Sequence, residues 1–386
     1  MKFKCLTIFF VLFILIIAPN NQSKFVYAKD LETEVQDQLN SIDFSEIEQV
    51  LSQLHNLPDE YNFFGKIKDV LSGNYDISYD GFIKYIFSIF FSLIKELLPS
   101  FLTVIVISLL LSILNATNVK YLGDSVSDLV CLIGNISILL LFSINIVSAY
   151  RMTVNFIDTV FNINQAISPI LLTLMVASGG TISASVYRPV VVMLSSGVVN
   201  IIKNIVLPII LAISALNVLA VIIPQIKFNA FLDFLSSLIK WIFGITIAVF
   251  GIFLSIQGFA SSIHDGISLK AAKYAISNSI PIVGGFLSSG FDLVICGSVL
   301  IKNAVGISSI FFIFYILLSP LSYLLSMNLL LKLSGGLTEM IGDSQSSNLC
   351  MGISKGITYF IVCILMVFFM LFLLILLIIF SANAFV

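Results

Sequence analysis

Residues 356–380 carry no charged side chain. About 20 consecutive apolar residues cross the hydrocarbon core of a bilayer. Within lipid a backbone must satisfy its hydrogen bonds internally, which leaves a run like this one path, the α-helix. Comparable runs precede it at 97–114, 129–149, 163–183, 204–223, 240–260, 282–301 and 306–330. The chain therefore reads as all-α, a polytopic helical membrane protein with about eight transmembrane helices. Composition agrees: 59% of residues are hydrophobic and 10% charged, with a mean hydropathy of +1.09, where soluble domains carry about 25% charged residues.

The chain divides into residues 1–28, 29–96 and 97–386. In the first stretch Lys2 and Lys4 precede a short apolar core, and Val26, Tyr27 and Ala28 suit a cleavage site. That is the pattern of a signal peptide; an uncleaved first anchor is the other reading. The second stretch is acidic: residues 30–80 hold 12 acidic and 2 basic side chains, against 9 and 13 in residues 81–386. Leu31, Val35, Leu39 and Ile42, then Ile47, Val50, Leu51, Leu54 and Leu57, recur at helical spacing. Ser45 and Glu48 fit a capping box for the second helix, and Pro58 ends it. The expectation is an extracytoplasmic helical segment that lies on the membrane or docks on a partner. Residues 82–94 read as an interfacial helix in which Lys84 and Lys95 snorkel. With the amino terminus outside, cytoplasmic connections hold Lys120, Arg188, Lys270, Lys273, Lys332 and Lys355, and outside ones hold Arg151, Lys227 and Lys302, the sign that basic residues follow.

Polar residues inside the spans are the candidates for function. Gly285, Ser288, Asp292, Cys296 and Asn303 share one helical face, and Ser196, Asn200 and Lys203 share another. Asp292, Lys203, Asn200 and Ser288 form the candidate polar lining. A Lys203–Asp292 pair across the bundle is one reading; the other has Lys203 snorkelling at a span end and Asp292 in a partly wet position between helices. Gly244, Ala248, Gly251, Ser255, Gly258 and Ser262 repeat at steps of four and three. Such a seam, with Gly244, Gly251 and Gly258 at its centre, lets helix backbones approach closely, within the protein or between copies. Gly352 and Gly356 form a second small pair, and the Gly-Gly pairs at Gly179, Gly284 and Gly335 are candidate hinges. Between Ser268 and Gly290 the chain is polar, with Lys270 and Lys273 on an Ala-rich pattern before Pro281 and Gly284. This is a re-entrant or lumen-lining turn, or a cytoplasmic loop before an ordinary helix start.

No phosphate-binding P-loop, HExxH or GxSxG pattern occurs, and His55 and His264 each stand apart from any catalytic partner. Cys5, Cys131, Cys296, Cys350 and Cys363 lack metal-ligand spacing and read as buried free thiols. Neither enzymatic activity nor a cofactor or metal is expected, and no basic patch suits nucleic acid.

The blocks ISLKAAKYA…IPIVGG (267–285) and SGGTISASVYRP (178–189) resemble the stage III sporulation protein AE family. The resemblance implies a multi-pass protein of the mother-cell membrane around the forespore, needed for forespore development after engulfment. It implies as partners other stage III A-series proteins, including an ATPase, and stage II sporulation protein Q across the intermembrane space. Together these build a trans-envelope channel resembling a secretion apparatus. Self-association through the small-residue seam fits such an assembly. Two further readings stand beside it: a secondary transporter of a small solute, and a passive scaffold that recruits the ATPase through a cytoplasmic loop at Lys270 and Lys273.

Overall fold

The computed structural model describes residues 29–52, 63–72, 79–121, 124–222, 226–279 and 283–381. The signal-peptide region, His55, Pro58 and Pro281 lie outside the described residues. Every regular element among them is helical: α1 (Lys29–Ser41), α2 (Ser45–Ser52), α3 (Phe63–Leu71), α4 (Tyr79–Tyr121), α5 (Asp124–Ala177), α6 (Thr181–Ile201), a π-helical turn (Ile202–Val206), α7 (Leu207–Ile222), α8 (Asn229–Ser279), α9 (Val283–Met340) and α10 (Ser344–Phe380).

Six of the helical stretches are long and apolar enough to cross a membrane: Lys84–Ile113, Ile136–Ala177, Thr181–Ala220, Asn229–Phe253, Gly290–Met340 and Ser344–Phe380. The expectation of about eight changes because neighbouring runs join. The expected span at 129–149 and the first fifteen residues of that at 163–183 lie on α5, whose 54 residues continue through Arg151; the rest of the second forms the turn and the start of α6. Those at 282–301 and 306–330 both lie on α9, whose 58 residues continue through Lys302. The expected interfacial helix at 82–94 and the span at 97–114 are likewise one helix, α4, with Pro99 inside it. The physical reason is common to all three. A few polar residues lower the apolarity of a window, but they do not break a helix unless a turn residue comes with them. Arg188, expected in a connection, sits in the apolar stretch Thr181–Ala220 for the same reason.

Where the chain does turn sharply, glycine supplies the conformation. Gly179 and Gly342 both have φ +93°. At the first, the Gly180 N–H returns to Met175 O, and at the second the Asp343 N–H returns to Thr338 O. These are Schellman endings, with glycine in the left-handed region where a Cβ is disfavoured. They make two antiparallel hairpins, α5–α6 and α9–α10.

The α9–α10 hairpin is the core of the bundle. α4 and α5 pack on α9, α5 and α7 pack on α10, and α8 lies outside against α6, α7 and α9. Fixed polar contacts tie the lower turn: the Asp343 carboxylate accepts from the Ser346 N–H at 3.1 Å, capping α10, and from the Ser108 hydroxyl of α4 at 2.8 Å. Further along, Tyr85 of α4 stacks on Tyr315 of α9 with ring centroids 5.3 Å apart, and their hydroxyls hydrogen-bond. Asn328 of α9 joins Ser354 and Thr358 of α10 through both ends of its amide.

Val35, Leu39, Ile42, Ile47, Val50 and Leu51 of the expected amphipathic pattern pack against the core of this same chain; Leu54, Leu57 and the side chain of Leu31 lie outside the described residues. Ile47 and Val50 of α2 gather with Ile163, Ala166 and Ile167 of α5 and Phe312 of α9. Phe63 of α3 meets the Phe312 ring at 5.7 Å. Gln38 of α1 bridges to α9, donating to Val294 O and accepting from the Ser298 hydroxyl. The expected Ser45–Glu48 capping box is replaced by a turn one step earlier. α2 begins at Ser45 itself, and the Asp43 carboxylate accepts from the Ser45 N–H at 2.9 Å. That bond holds the Asp43 carboxyl below its ordinary range.

Candidate functional site

The polar site of the bundle is built on the α5–α6 hairpin. Pro208 lies at the start of α7, and it has no N–H to return to the turn before it; its ring also crowds the carbonyl four residues back. The helix widens there into the π-turn Ile202–Val206, closed by the Leu207 N–H on Ile202 O. π-turns are rare and recur at functional sites. This one carries Lys203, whose ammonium meets the Asp158 carboxylate of α5 at 2.5 Å. At 1.5 Å per residue, both sit roughly 30–35 Å along the hairpin from the Gly179 turn.

Around this pair opens a cleft of about 240 Å³ lined by Asp158, Phe161, Ser196, Val199, Asn200, Lys203 and Asn204. The pair is not sealed: the Lys203 side chain is 31% exposed and that of Asp158 43%. The stripe expected from the sequence, Ser196, Asn200 and Lys203, is thus brought together on one wall. The sequence reading missed Asp158, Phe161 and Asn204. Asp158 was overlooked because it falls between two apolar runs; the available signal was an acidic residue about as far before Gly179 as Lys203 is after it.

The expected partner of Lys203 is corrected, since its ammonium goes to Asp158 and not to Asp292. The geometry forbids the alternative. Gly356 packs on Ser214 and Lys302 on Ser381; counting 1.5 Å per residue from those contacts puts Asp292 roughly 35 Å from Lys203 along the bundle. Asp292 is half-buried near the start of α9, in the stretch that α1 covers. The side chains of Ser288, Gly258, Lys273 and His264 lie outside the described residues. Lys270 is exposed and sits on α8, so the Lys270–Lys273 segment is helix and not loop.

Lys302 is the second correction. Expected in an outside connection, it is fully buried in α9, and its ammonium donates to Ser381 O at the end of α10. A cation at a helix C-terminus meets the carbonyls left without intrahelical donors, so Lys302 closes the upper end of the core hairpin. The Ser381 hydroxyl lies 3.5 Å from the Met175 sulfur of α5, which ties that end to the Gly179 turn. Cys350 and Cys363 are buried free thiols and Cys296 is half-buried; the side chains of Cys5 and Cys131 lie outside the described residues. No group of three His, Cys, Asp or Glu side chains that could hold a metal occurs among the described residues.

The small-residue seam divides from the rest of α8. Leu235, Ile239, Phe243, Thr246 and Phe250 face the bundle. Gly244, Ala248, Gly251 and Ser255 are exposed on the other side, beside Trp241 and Ile245. A methyl at Gly244 or Gly251 would meet nothing within 4 Å.

Fold and site together define a multi-pass helical membrane protein with a charged, open cleft in a largely apolar bundle. The chain belongs to the stage III sporulation protein AE family, whose model matches residues 61–382. Stage III sporulation protein AE of Bacillus subtilis (strain 168) is 26% identical over 307 residues, covering 78% of this chain and 76% of that protein. No solved structure is a significant match. The family points to a role in sporulation.

Proposed function

We propose that this chain is the polytopic membrane subunit of a sporulation-specific trans-envelope channel or secretion-like complex between mother cell and forespore, needed for forespore development after engulfment. It resides in the mother-cell membrane around the forespore. Its partners are other stage III A-series proteins, including an ATPase, and stage II sporulation protein Q across the intermembrane space. It performs no covalent chemistry of its own. The observation that carries the reading is the outward small-residue face of α8, which nothing among the described residues covers, whereas Gly352 and Gly356 of α10 pack such a face on α7. In lipid, a face of this kind gains by close helix contact. The acidic head, docked on α9 and α5, presents Asp37, Asp43, Glu46 and Glu48 outward, away from the bundle and toward a partner on that side of the membrane.

The test is crosslinking from cysteines placed at Gly244 and Gly251 in membranes of sporulating cells, followed by mass spectrometry. Crosslinks to A-series proteins support the complex. Crosslinks to lipid alone, with normal spores from Gly244→Leu and Gly251→Leu, remove α8 from any assembly. A secondary transporter is the second reading, and the Asp158–Lys203 cleft is what favours it; uptake of a solute by the purified protein in vesicles, without partners, separates the two.

A further inference from the structure

The cleft between α5 and α6 has a chemistry of its own. Its charged pair is neutral overall, so an anion or a cation alone would have to break Lys203 from Asp158 and strand one of them. A zwitterion does not: its ammonium replaces Lys203 on the Asp158 carboxylate while its anionic oxygens replace Asp158 on the Lys203 ammonium. Both side chains keep exposed surface toward the opening, 31% for Lys203 and 43% for Asp158. The rest of the lining suits the same ligand. Asn200 and Asn204 are exposed and Ser196 is half-buried at the cleft wall; between them they offer amide and hydroxyl donors and acceptors for charged ends. Phe161 and Val199 supply the apolar wall for a short methylene link between those ends. The π-turn adds backbone that Pro208 leaves without a donor on the turn carrying Lys203 and Asn204. The volume, about 240 Å³, is several waters' worth and too small for a folded peptide.

We propose that this cleft binds a small zwitterion bearing a primary ammonium and an anionic phosphate or carboxylate, held between Asp158 and Lys203. Two sources carry that chemistry: a free solute and the headgroup of an aminophospholipid. A quaternary ammonium has no N–H to give to Asp158, so a primary ammonium is preferred over a choline headgroup. The assignment is independent of the assembly reading, and either can fail alone.

The test uses the full chain in nanodiscs of phosphatidylcholine. Free O-phosphoethanolamine is titrated by calorimetry; in a second arm, phosphatidylethanolamine is added and lipid retention is read by native mass spectrometry. Saturable binding of the free probe with no preference for the lipid identifies a solute site. At least fivefold enrichment of phosphatidylethanolamine over phosphatidylcholine, with weak binding of the free probe, identifies a headgroup site. In either case Asp158→Asn and Lys203→Met each lower affinity tenfold or more. Asn200→Leu with Asn204→Leu leaves the ion pair in place and lowers it as well, with thermal unfolding unchanged; this variant covers the case in which the charge variants fail to fold. Absence of saturable binding in both arms overturns the proposal, and so does binding that survives the asparagine double variant and both charge variants.

Discussion

Gly352 and Gly356 of α10 lie against α7: a methyl at Gly356 would stand 2.4 Å from the Ser214 hydroxyl oxygen, and one at Gly352 would stand 3.1 Å from Asn217 Cβ. Gly244 and Gly251 of α8 belong to the same kind of small-residue stripe and meet nothing. The two helices differ accordingly in burial. In the most apolar window, 61% of α10 is buried inside the bundle, against 22% of α8. In water both helices would be driven inward by their apolar surface. In lipid that drive is absent, and close backbone contact takes its place. The stripe on α10 is already used in that way; the stripe on α8 is still available.

The comparison breaks most readily on the core side. Lys302→Ala empties a fully buried site and leaves Ser381 O without its charged donor. A loss of about 3 kcal/mol is expected, read as a lower unfolding temperature in detergent. Stability near that of the native protein would mean that the upper end of the hairpin is held by other contacts. Next is Gly356→Leu, which drives a branched side chain into α7. Overpacking of this kind costs about 1–3 kcal/mol. A companion Ser214→Gly change, which removes the hydroxyl nearest the new side chain, should recover part of it, and no recovery would place the damage elsewhere. Asp343→Ala removes the cap of α10 and the acceptor of Ser108. It is expected to lower stability by about 1–2 kcal/mol; increased hydrogen exchange confined to the first turns of α10 is its signature.

These contacts also mark what the sequence could and could not disclose. Helical class and membrane insertion follow from apolar runs alone. The stripe Ser196, Asn200 and Lys203 follows from periodicity and does share a wall. The Gly-Gly pair at Gly179, a candidate hinge although it falls inside the expected span 163–183, is a turn, whereas Gly335, in the same kind of pair, is buried in the last turns of α9 against Cys350. The pairing of Lys203 with Asp158 was hidden because it depends on how far each residue lies from that turn, and an apolar-run reading placed a loop between them. Lys302 was misplaced for a related reason. Its charge suggested water, yet the end of α10 supplied a carbonyl that no local pattern announces. Which way a glycine stripe faces is hidden more deeply, since it depends on which helices α8 touches and not on α8 itself.

The smallest effect expected on stability is therefore the most informative. Gly244→Leu and Gly251→Leu place side chains where nothing stands within 4 Å, and leucine is a better helix former than glycine by about 0.5–1 kcal/mol. Both variants should unfold in detergent at or slightly above the native temperature. In sporulating membranes the same variants should lose the contacts that α8 makes, because a branched side chain on the stripe holds an approaching backbone away. Alanine at these positions keeps the surface small and should retain those contacts. The decisive pattern is native stability together with lost crosslinks for leucine and retained crosslinks for alanine. If leucine lowers stability as Gly356→Leu does, the stripe is covered within the chain after all and the contrast between α8 and α10 disappears. If leucine leaves both stability and crosslinks unchanged, the face looks at lipid, and the partners of this subunit meet it through the head or through α6 instead.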